Sequence, residues 1–339
     1  MFTIYDYIKY YKDSSLTEVK WNMIDNLLCS IILYTSVKTF YNSMTFNKFC
    51  NEVINTKPTY FMEKEVIKIL NELKDSKRYK PLIINNFINE VNDKVQFGAM
   101  SINVGNKKII SFKGSDGSII GWLENFKIAY EYPTYTQKLA YEYLNKNINF
   151  LDDDVIVLGH SKGGNMAMSG CMQLNTYKFN KISKIINFDG PGFRKQEFES
   201  KNYKNMSKKL INIVPSSSYV GVILYNNNYE SIKTSSFAIN VHFPTFWNMY
   251  GEFFINENLS KMSQGLHEKT TIDFDKLDEK ELQKIIENAF ELFGNDKTKK
   301  FKLELKDIPS IYNNLKDVDP KTFNYLGTVL STMIKGSKK

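Results

Sequence analysis

The 339-residue chain has few cysteines, few histidines and no long apolar run. Its three cysteines, Cys29, Cys50 and Cys171, are too few for a disulfide framework, and an odd count is typical of a reducing compartment. The longest apolar runs, such as LLCSIILY at 27–34, are too short to cross a bilayer. The first residues lack a basic segment followed by an apolar one, so we expect no signal peptide. These absences predict a soluble cytoplasmic protein.

The basic residues of the chain are not concentrated in a patch. Lysine and arginine number 45 against 37 acidic residues, a formal net charge of +8. The basic residues are scattered among acidic ones and form no stripe or RNA-binding motif, which argues against a nucleic-acid partner. A weak peripheral membrane contact stays open, because the N-terminal YDYIKYYK combines lysine with aromatic residues. The oligomeric state is not indicated.

The order of apolar patterns predicts the architecture. Residues 1 to about 95 read as helical, with Ser15 and Glu18 in a capping-box pattern before one helix. Two β-rich runs then meet at Gly105-Asn106, which predicts a hairpin. Strand and helix patterns alternate as far as AINVHF, whose last strand ends at His242, and the tail from about 275 reads as helical again, in DEKELQKIIENAFELF and DPKTFNYLGTVLSTMI.

This alternation predicts an α/β fold: a mostly parallel central sheet flanked by helices, with helical N- and C-terminal additions. The expected divisions are a helical region over 1–95, an α/β core over 96–255 and a helical region over 256–339, packed as one compact unit. We find no internal repeat, linker or low-complexity segment.

The stretch VIVLGHSKGGNMAM, residues 155–168, places a serine between a strand and a helix. Ser161 lies between Gly159 and Gly163, and a serine exposed on a strained strand-to-helix turn needs small residues two positions before and after it. Glycines early in a helix cost about 1 kcal/mol each relative to alanine, which a plain turn would not explain. We therefore predict a nucleophile elbow at Ser161, with an ordinary glycine-rich turn as the alternative.

A serine nucleophile needs a base, and the chain has three histidines: His160, His242 and His267. His160 adjoins the serine and is expected to pack beneath the elbow. His242 follows the last expected strand, where the base of such an arrangement comes in chain order, and we take it as the base. His267 lies in a polar, loop-like stretch and is expected to be exposed. A structural histidine near Trp247 is the alternative reading of His242.

The orienting acid is expected between Ser161 and His242 at a strand end. Asp189, in NFDGPGF, follows an apolar run and fits this place, although an aspartate in a turn or helix cap is also consistent with the pattern. Glu230 is a weaker alternative. The oxyanion donors are expected at the backbone N–H of Lys162 and at Ser115, whose N–H and hydroxyl both lie in the SFKGSDGS loop. That loop has the composition of an ordinary turn as well.

These motifs resemble two related groups of proteins. SFKGSDGSIIGWLENF followed by LGHSKGGNMAM resembles the class 3, fungal-type lipases. More closely, the chain resembles a bacterial family of uncharacterised α/β-hydrolases related to those lipases. Its IYDYIKYY, MIDNLLCSIILY, GHSKGGN, NFDGPGF, SSSYVGVIL and VHFPTFW segments are similar to that family's motifs over residues 3 to about 330.

The resemblance implies an α/β-hydrolase fold, with Ser161 as nucleophile, Ser115 as oxyanion residue and His242 as base. Two positions depart from the pattern. Class 3 lipases carry their acid after the strand that here ends in NIVP, where this chain has no aspartate, so the acid falls to Asp189. The closer family often has an aspartate directly after the histidine, where this chain has Phe243.

The sequence thus predicts a serine hydrolase, most simply a lipase- or esterase-like enzyme that cleaves a small acyl ester or lipid through an acyl-enzyme, without metal or organic cofactor. A thioesterase, peptidase or acyltransferase would use the same residues. A non-catalytic binding or scaffolding module on the same fold is the alternative from another class. The joint presence of Ser161, His242 and Asp189 favours catalysis.

Overall fold

The computed structural model describes residues 2–274, 279–291 and 296–300, and its centre is an eight-stranded sheet. The strands of this sheet are β1 (Met44–Thr45), β2 (Ile83–Val91), β3 (Gln96–Val104), β4 (Lys107–Phe112), β5 (Asp154–His160), β6 (Ile182–Phe188), β7 (Leu210–Pro215) and β8 (Tyr229–Ile232). A short antiparallel pair, β9 (Met249–Tyr250) and β10 (Phe253–Phe254), lies outside it.

Helices cover both faces of the sheet. They are α1 (Ile4–Tyr11), α2 (Met23–Ile31), α3 (Phe46–Ile54), α4 (Phe61–Leu73), α5 (Ile119–Lys127), α6 (Tyr135–Asn147), α7 (Lys162–Gln173), α8 (Thr176–Asn180), α9 (Lys195–Phe198), α10 (Lys201–Met206), α11 (Lys261–Phe274) and α12 (Glu279–Glu291). Within the described ranges, no helix is both long enough and apolar enough to span a membrane.

The strands lie side by side in chain order. Strands β1 to β4 pair antiparallel, and β4 to β8 pair parallel. The predicted hairpin is confirmed: Val104 pairs with Lys107 across a two-residue turn in which Gly105 has φ +60°. The parallel half brings the carboxyl ends of β4 to β8 to one edge of the sheet. The prediction of an α/β fold with a mostly parallel central sheet is confirmed.

Two apolar cores lie on opposite faces of the sheet. Residues of α1 to α4 pack against one face in the first core, and residues of α6, α7 and α10 pack against the other in the second. The N-terminal region is tied together by a buried ion pair, in which Arg78 Nε donates to Asp25 Oδ1 over 2.9 Å. Because the first core contains both N-terminal helices and sheet residues, the N-terminal helices bury one face of the sheet.

The expectation that residues 1–95 are helical was wrong in part. Residues 83–91 form β2, because IINNFINEV carries β-branched and aromatic residues whose pairing with β3 outweighs its helical reading. Ser15 and Glu18 do exchange the hydrogen bonds of a capping box, but only a turn follows them. The helix begins at Met23, where Asn22 accepts from two backbone amides.

Two expectations near the C-terminus were also wrong. The last strand of the main sheet ends at Ile232, and His242 lies ten residues further on, at the end of a 3₁₀ turn over Ala238–His242. His267 lies in α11 rather than in a loop and is half-buried. The helix expected in DPKTFNYLGTVLSTMI lies outside the described residues. The division into regions at 95 and 255 stays a prediction.

Candidate active site

Ser161 occupies a strained turn between β5 and α7. Its φ is +59° and its ψ −132°, a region that residues other than glycine rarely adopt. A Cβ on Gly159 would lie 2.2 Å from the carbonyl carbon of Gly163, and one on Gly163 would lie 2.1 Å from the carbonyl oxygen of Phe112. Only glycine fits at these two positions, so the turn can bring the end of β4 against Gly163, two residues after the serine.

Asp189 follows the neighbouring parallel strand in a similar way. It comes directly after β6, has φ +52° and is completely buried. The Ser161 amide donates to the carbonyl of Phe188 over 2.9 Å, which fixes the serine beside the end of β6. The two strained residues therefore stand at the ends of adjacent strands, at the edge where sites collect in α/β sheets.

His242 reaches this edge from the long connection after β8. Its Nδ1 lies 2.6 Å from Oδ2 of Asp189, and its side chain retains 14% exposure. An Nδ1–H that donates to a carboxylate leaves Nε2 unprotonated and able to accept a proton. The structure thus brings together the histidine and the aspartate that the sequence singled out, beside the elbow that carries Ser161.

The carboxylate of Asp189 is held by two further groups that the sequence analysis did not assign. The Ser218 hydroxyl donates to its Oδ1 over 2.5 Å, and the Gly221 amide donates to the same oxygen over 3.0 Å. A Cβ on Gly221 would lie 2.4 Å from that oxygen. Both residues belong to the SSSYVG segment after β7, and this motif was the available signal for them.

His160 lies beneath His242 and holds its backbone. The two rings pack together at a tilt of 32° with centroids 4.6 Å apart, and His160 Nε2 donates to the His242 carbonyl over 2.9 Å. Since a carbonyl only accepts, Nδ1 of His160 is the acceptor for the Tyr34 hydroxyl, 2.8 Å away. Burial, and to a lesser degree the neighbouring His242, holds the pKa of His160 well below its usual range, so this ring is neutral. No pattern in the sequence indicated this role of Tyr34.

The expected oxyanion loop lies against the elbow. A Cβ on Gly114 would meet the His160 carbonyl oxygen at 2.7 Å and the Tyr34 hydroxyl at 2.0 Å. The Ser115 hydroxyl is engaged elsewhere: it donates to the Gly121 carbonyl over 3.1 Å and accepts from Asn125 Nδ2 over 2.8 Å. Within the described part of the chain, no hydrogen bond engages the amide N–H of Ser115 or of Lys162. The backbone of Ser115, rather than its hydroxyl, is therefore available.

The alternative residues lie apart from this arrangement. Glu230 is exposed on β8, and His267 Nδ1 donates to the Val222 carbonyl over 2.9 Å. Among the residues that the structure describes, no group of three or more histidine, cysteine, aspartate or glutamate side chains is placed to hold a metal ion.

An aromatic cluster borders His242. Phe61, from the start of α4, contacts Phe243 with ring centroids 4.9 Å apart and stacks on Phe246 at 6.2 Å. All three rings retain exposed surface. The family that the sequence resembles often has an aspartate at the position of Phe243. In this chain, that position contributes apolar surface next to His242.

Comparison with known proteins agrees with this geometry at the level of family. The model of the Mbeg1-like family, a lipase-like family, matches residues 73–291, a stretch that contains β2 to β8 together with Ser161, Asp189 and His242. The match covers more than half of the chain, and the chain belongs to the Mbeg1-like family. No curated protein and no solved structure matches it.

Proposed function

We propose that this member of the Mbeg1-like family is a serine hydrolase that cleaves carboxylic esters with Ser161, His242 and Asp189. The observation that carries the proposal is the 2.6 Å contact between His242 Nδ1 and Asp189 Oδ2 beside a serine at φ +59°. A satisfied structural histidine would not require a strained serine next to it. A strained backbone persists only where the surroundings enforce it, and such residues cluster at functional sites.

In the proposed reaction, Ser161 Oγ attacks the ester carbonyl while His242 Nε2 takes the hydroxyl proton. His242 then gives that proton to the leaving alkoxide, and an acyl group remains on Ser161. Water attacks the acyl-enzyme with its proton passing to Nε2, the acid product leaves, and Ser161 regains its proton. Asp189 keeps the proton on Nδ1, because its carboxylate is fixed by Ser218 and Gly221 and cannot turn away.

Two backbone amides support the tetrahedral intermediate in this proposal. Lys162 N–H is at the first position of α7, where amides have no partner inside the helix. Ser115 N–H belongs to the loop that lies against His160. Each donor of this type contributes roughly 10²–10³ in rate when it is aimed at the developing charge.

The surroundings of His242 favour an apolar acyl group in the substrate. Phe61, Phe243 and Phe246 form a partly exposed aromatic surface next to the base. Two lysines near the elbow, Lys113 and Lys162, are not available for an anionic substrate, since both are buried with their ammonium groups bonded inside the protein. A neutral ester of an aliphatic or aromatic acid fits this environment.

The test is covalent labelling with a fluorophosphonate, which reacts with activated serines. We expect the wild type to be labelled, and labelling to be lost in Ser161→Ala and His242→Ala. Ser169→Ala is the matched control, because Ser169 is a completely buried serine on α7, the helix that follows Ser161, and this variant should be labelled like the wild type. Esters of graded acyl length should then be hydrolysed by the same variants that are labelled.

A folded wild type that is not labelled and hydrolyses none of these esters would contradict the proposal. Labelling that persists in Ser161→Ala would place the reactive serine elsewhere.

A further inference from the structure

Lys162 combines two features that are unusual together: it directly follows the elbow serine, and its side chain is 1% exposed. Its ammonium donates to the backbone carbonyl of Gln96 over 2.8 Å and to Gln96 Oε1 over 2.7 Å. Burying a cation is costly unless it is bonded and paired, so a lysine here calls for a reason. Lysine is not needed to fill the space, since an apolar side chain would do so at lower cost.

Gln96 is hydrogen-bonded both to Lys162 and to the expected oxyanion loop. An ammonium only donates, so Oε1 of Gln96 must face Lys162, and Nε2 must point the other way. There Nε2 donates to the carbonyl of Gly114 over 3.2 Å. Gln96 is completely buried at the start of β3, and a Cβ on Gly121 would already lie 3.1 Å from its Oε1. The amide therefore has little freedom to turn.

The Gly114 carbonyl and the Ser115 N–H belong to one planar peptide group. Holding the carbonyl oxygen from one side fixes the direction in which the N–H points on the other. We propose that Lys162 and Gln96 are positioning residues, which orient the Ser115 amide toward the oxyanion. The residue that offers one backbone donor thus aligns the second donor through its side chain. This inference rests on the proposed function.

The charges around Lys162 are consistent with this role. Burial lowers its pKa to about 8, Glu124 and Asp116 act in the opposite direction, and Lys113 adds to the lowering. Glu124 is itself completely buried, and its Oε1 has no hydrogen-bond partner among the described residues but lies 3.5 Å from the ammonium of Lys127. Among the described residues the ammonium is hydrogen-bonded only to Gln96, the residue that holds the loop, and the two carboxylates lie nearby.

The decisive variant is Gln96→Glu. One carboxylate oxygen keeps the contact with the Lys162 ammonium, which also keeps the new group ionised, while the other replaces the donor to Gly114 with a second acceptor. We expect this variant to fold like the wild type but to lose the hydrogen bond that holds the Gly114–Ser115 peptide. We expect kcat to fall by roughly 10- to 100-fold with KM little changed, less than the full loss of a donor.

The matched control is Gln137→Glu. Gln137 is a buried amide whose Nε2 donates to Asn165 Oδ1 over 2.7 Å, and it does not contact Gly114. It undergoes the same chemical change and should keep kcat within a few-fold of the wild type. Lys162→Met removes both hydrogen bonds from the ammonium to Gln96 and should lower kcat in the same way as Gln96→Glu.

A second readout does not depend on activity. Labelling glycine carbonyls with ¹³C and serine nitrogens with ¹⁵N selects the Gly–Ser peptides, of which the sequence has three, at 114–115, 117–118 and 336–337. The Gly114–Ser115 signal should shift in Gln96→Glu and Lys162→Met but not in Gln137→Glu. An unshifted signal, or a kcat in Gln96→Glu equal to that of Gln137→Glu, would overturn the proposal. A wild type without esterase activity refutes the proposed function, while the NMR signals still decide whether Gln96 holds the peptide.

Discussion

His160 donates its Nε2–H to the backbone carbonyl of His242, and the two rings pack against each other. The residue before the elbow serine thus fixes the backbone of the histidine that bonds to Asp189. Tyr34, from the N-terminal region, extends this series of hydrogen bonds by donating its hydroxyl to His160 Nδ1. The position of His242 therefore depends on segments far apart in sequence.

Replacing His160 with phenylalanine should keep the ring contact with His242 but leave the His242 carbonyl and the Tyr34 hydroxyl without a partner. Each unsatisfied buried group costs about 1–3 kcal/mol, so for the two groups we expect a loss of about 2–6 kcal/mol in the free energy of unfolding. Tyr34→Phe leaves only the His160 Nδ1 unpaired and should lose less. Urea denaturation of both variants measures the difference, and equal losses would refute the assigned hydrogen-bond chain.

The Asp189→Asn variant should retain the fold and lose catalysis. An amide in this place can donate to Nδ1, which favours the tautomer that has its proton on Nε2, so we expect kcat to fall by roughly 10³–10⁴-fold. Ser218→Ala should cause a smaller fall, because the Gly221 amide still holds Oδ1. Steady-state ester hydrolysis measures both effects. A larger loss in Ser218→Ala than in Asp189→Asn would count against Asp189 as the orienting acid.

Gly163→Ala should destabilise the protein by about 3 kcal/mol or more, because the new methyl group meets the Phe112 carbonyl and neither backbone segment can withdraw. Gly265→Ala is the matched control. Gly265 lies in α11 with nothing within 4 Å of its Cβ position, so alanine should stabilise that helix by up to about 1 kcal/mol. Thermal unfolding of the two variants should shift in opposite directions.

The stability of the protein should rise between about pH 8 and pH 9. Burial lowers the pKa of Lys113 from 10.5 to about 8, so in this window the unfolded chain binds more protons than the folded one, and unfolding becomes harder as pH increases. The cost of burying the charged lysine lowers the free energy of unfolding below about pH 8. This cost is lost above pH 8, as the folded protein releases the proton. Above pH 9 the buried Cys29 and Cys171, whose thiol pKa values are raised by burial, act in the opposite direction.

Lys113→Met should remove this contribution and flatten the rise by up to about 1.4 kcal/mol per pH unit. Lys162, whose pKa is lowered in the same way, should leave a residual slope in the variant. Urea denaturation at the two pH values checks the prediction. Identical slopes in wild type and variant would show that Lys113 does not release its proton in this range.

Local patterns in the sequence predicted the parts of the site that depend on neighbours in the chain. The elbow at Ser161 follows from the strand before it and the glycines around it, since the clashes at Gly159 and Gly163 involve the turn and the adjoining strand end. The hairpin at Gly105 follows from a turn residue between two β-rich runs. The place of His242 was less predictable, because the connection after β8 forms a 3₁₀ turn and not a strand.

The sequence by itself determined the α/β class and the strained turn at Ser161, because apolar periodicity and tight turns are local properties. Tertiary structure alone decided which groups surround that turn. Asp189 faces His242 because Ser218 and Gly221, from the next strand connection, fix its carboxylate. His160 in turn holds the backbone of His242, and Tyr34 donates to His160. Contacts between residues so distant along the chain have no periodic signature, and only the packing of the sheet edge brings them within hydrogen-bond distance.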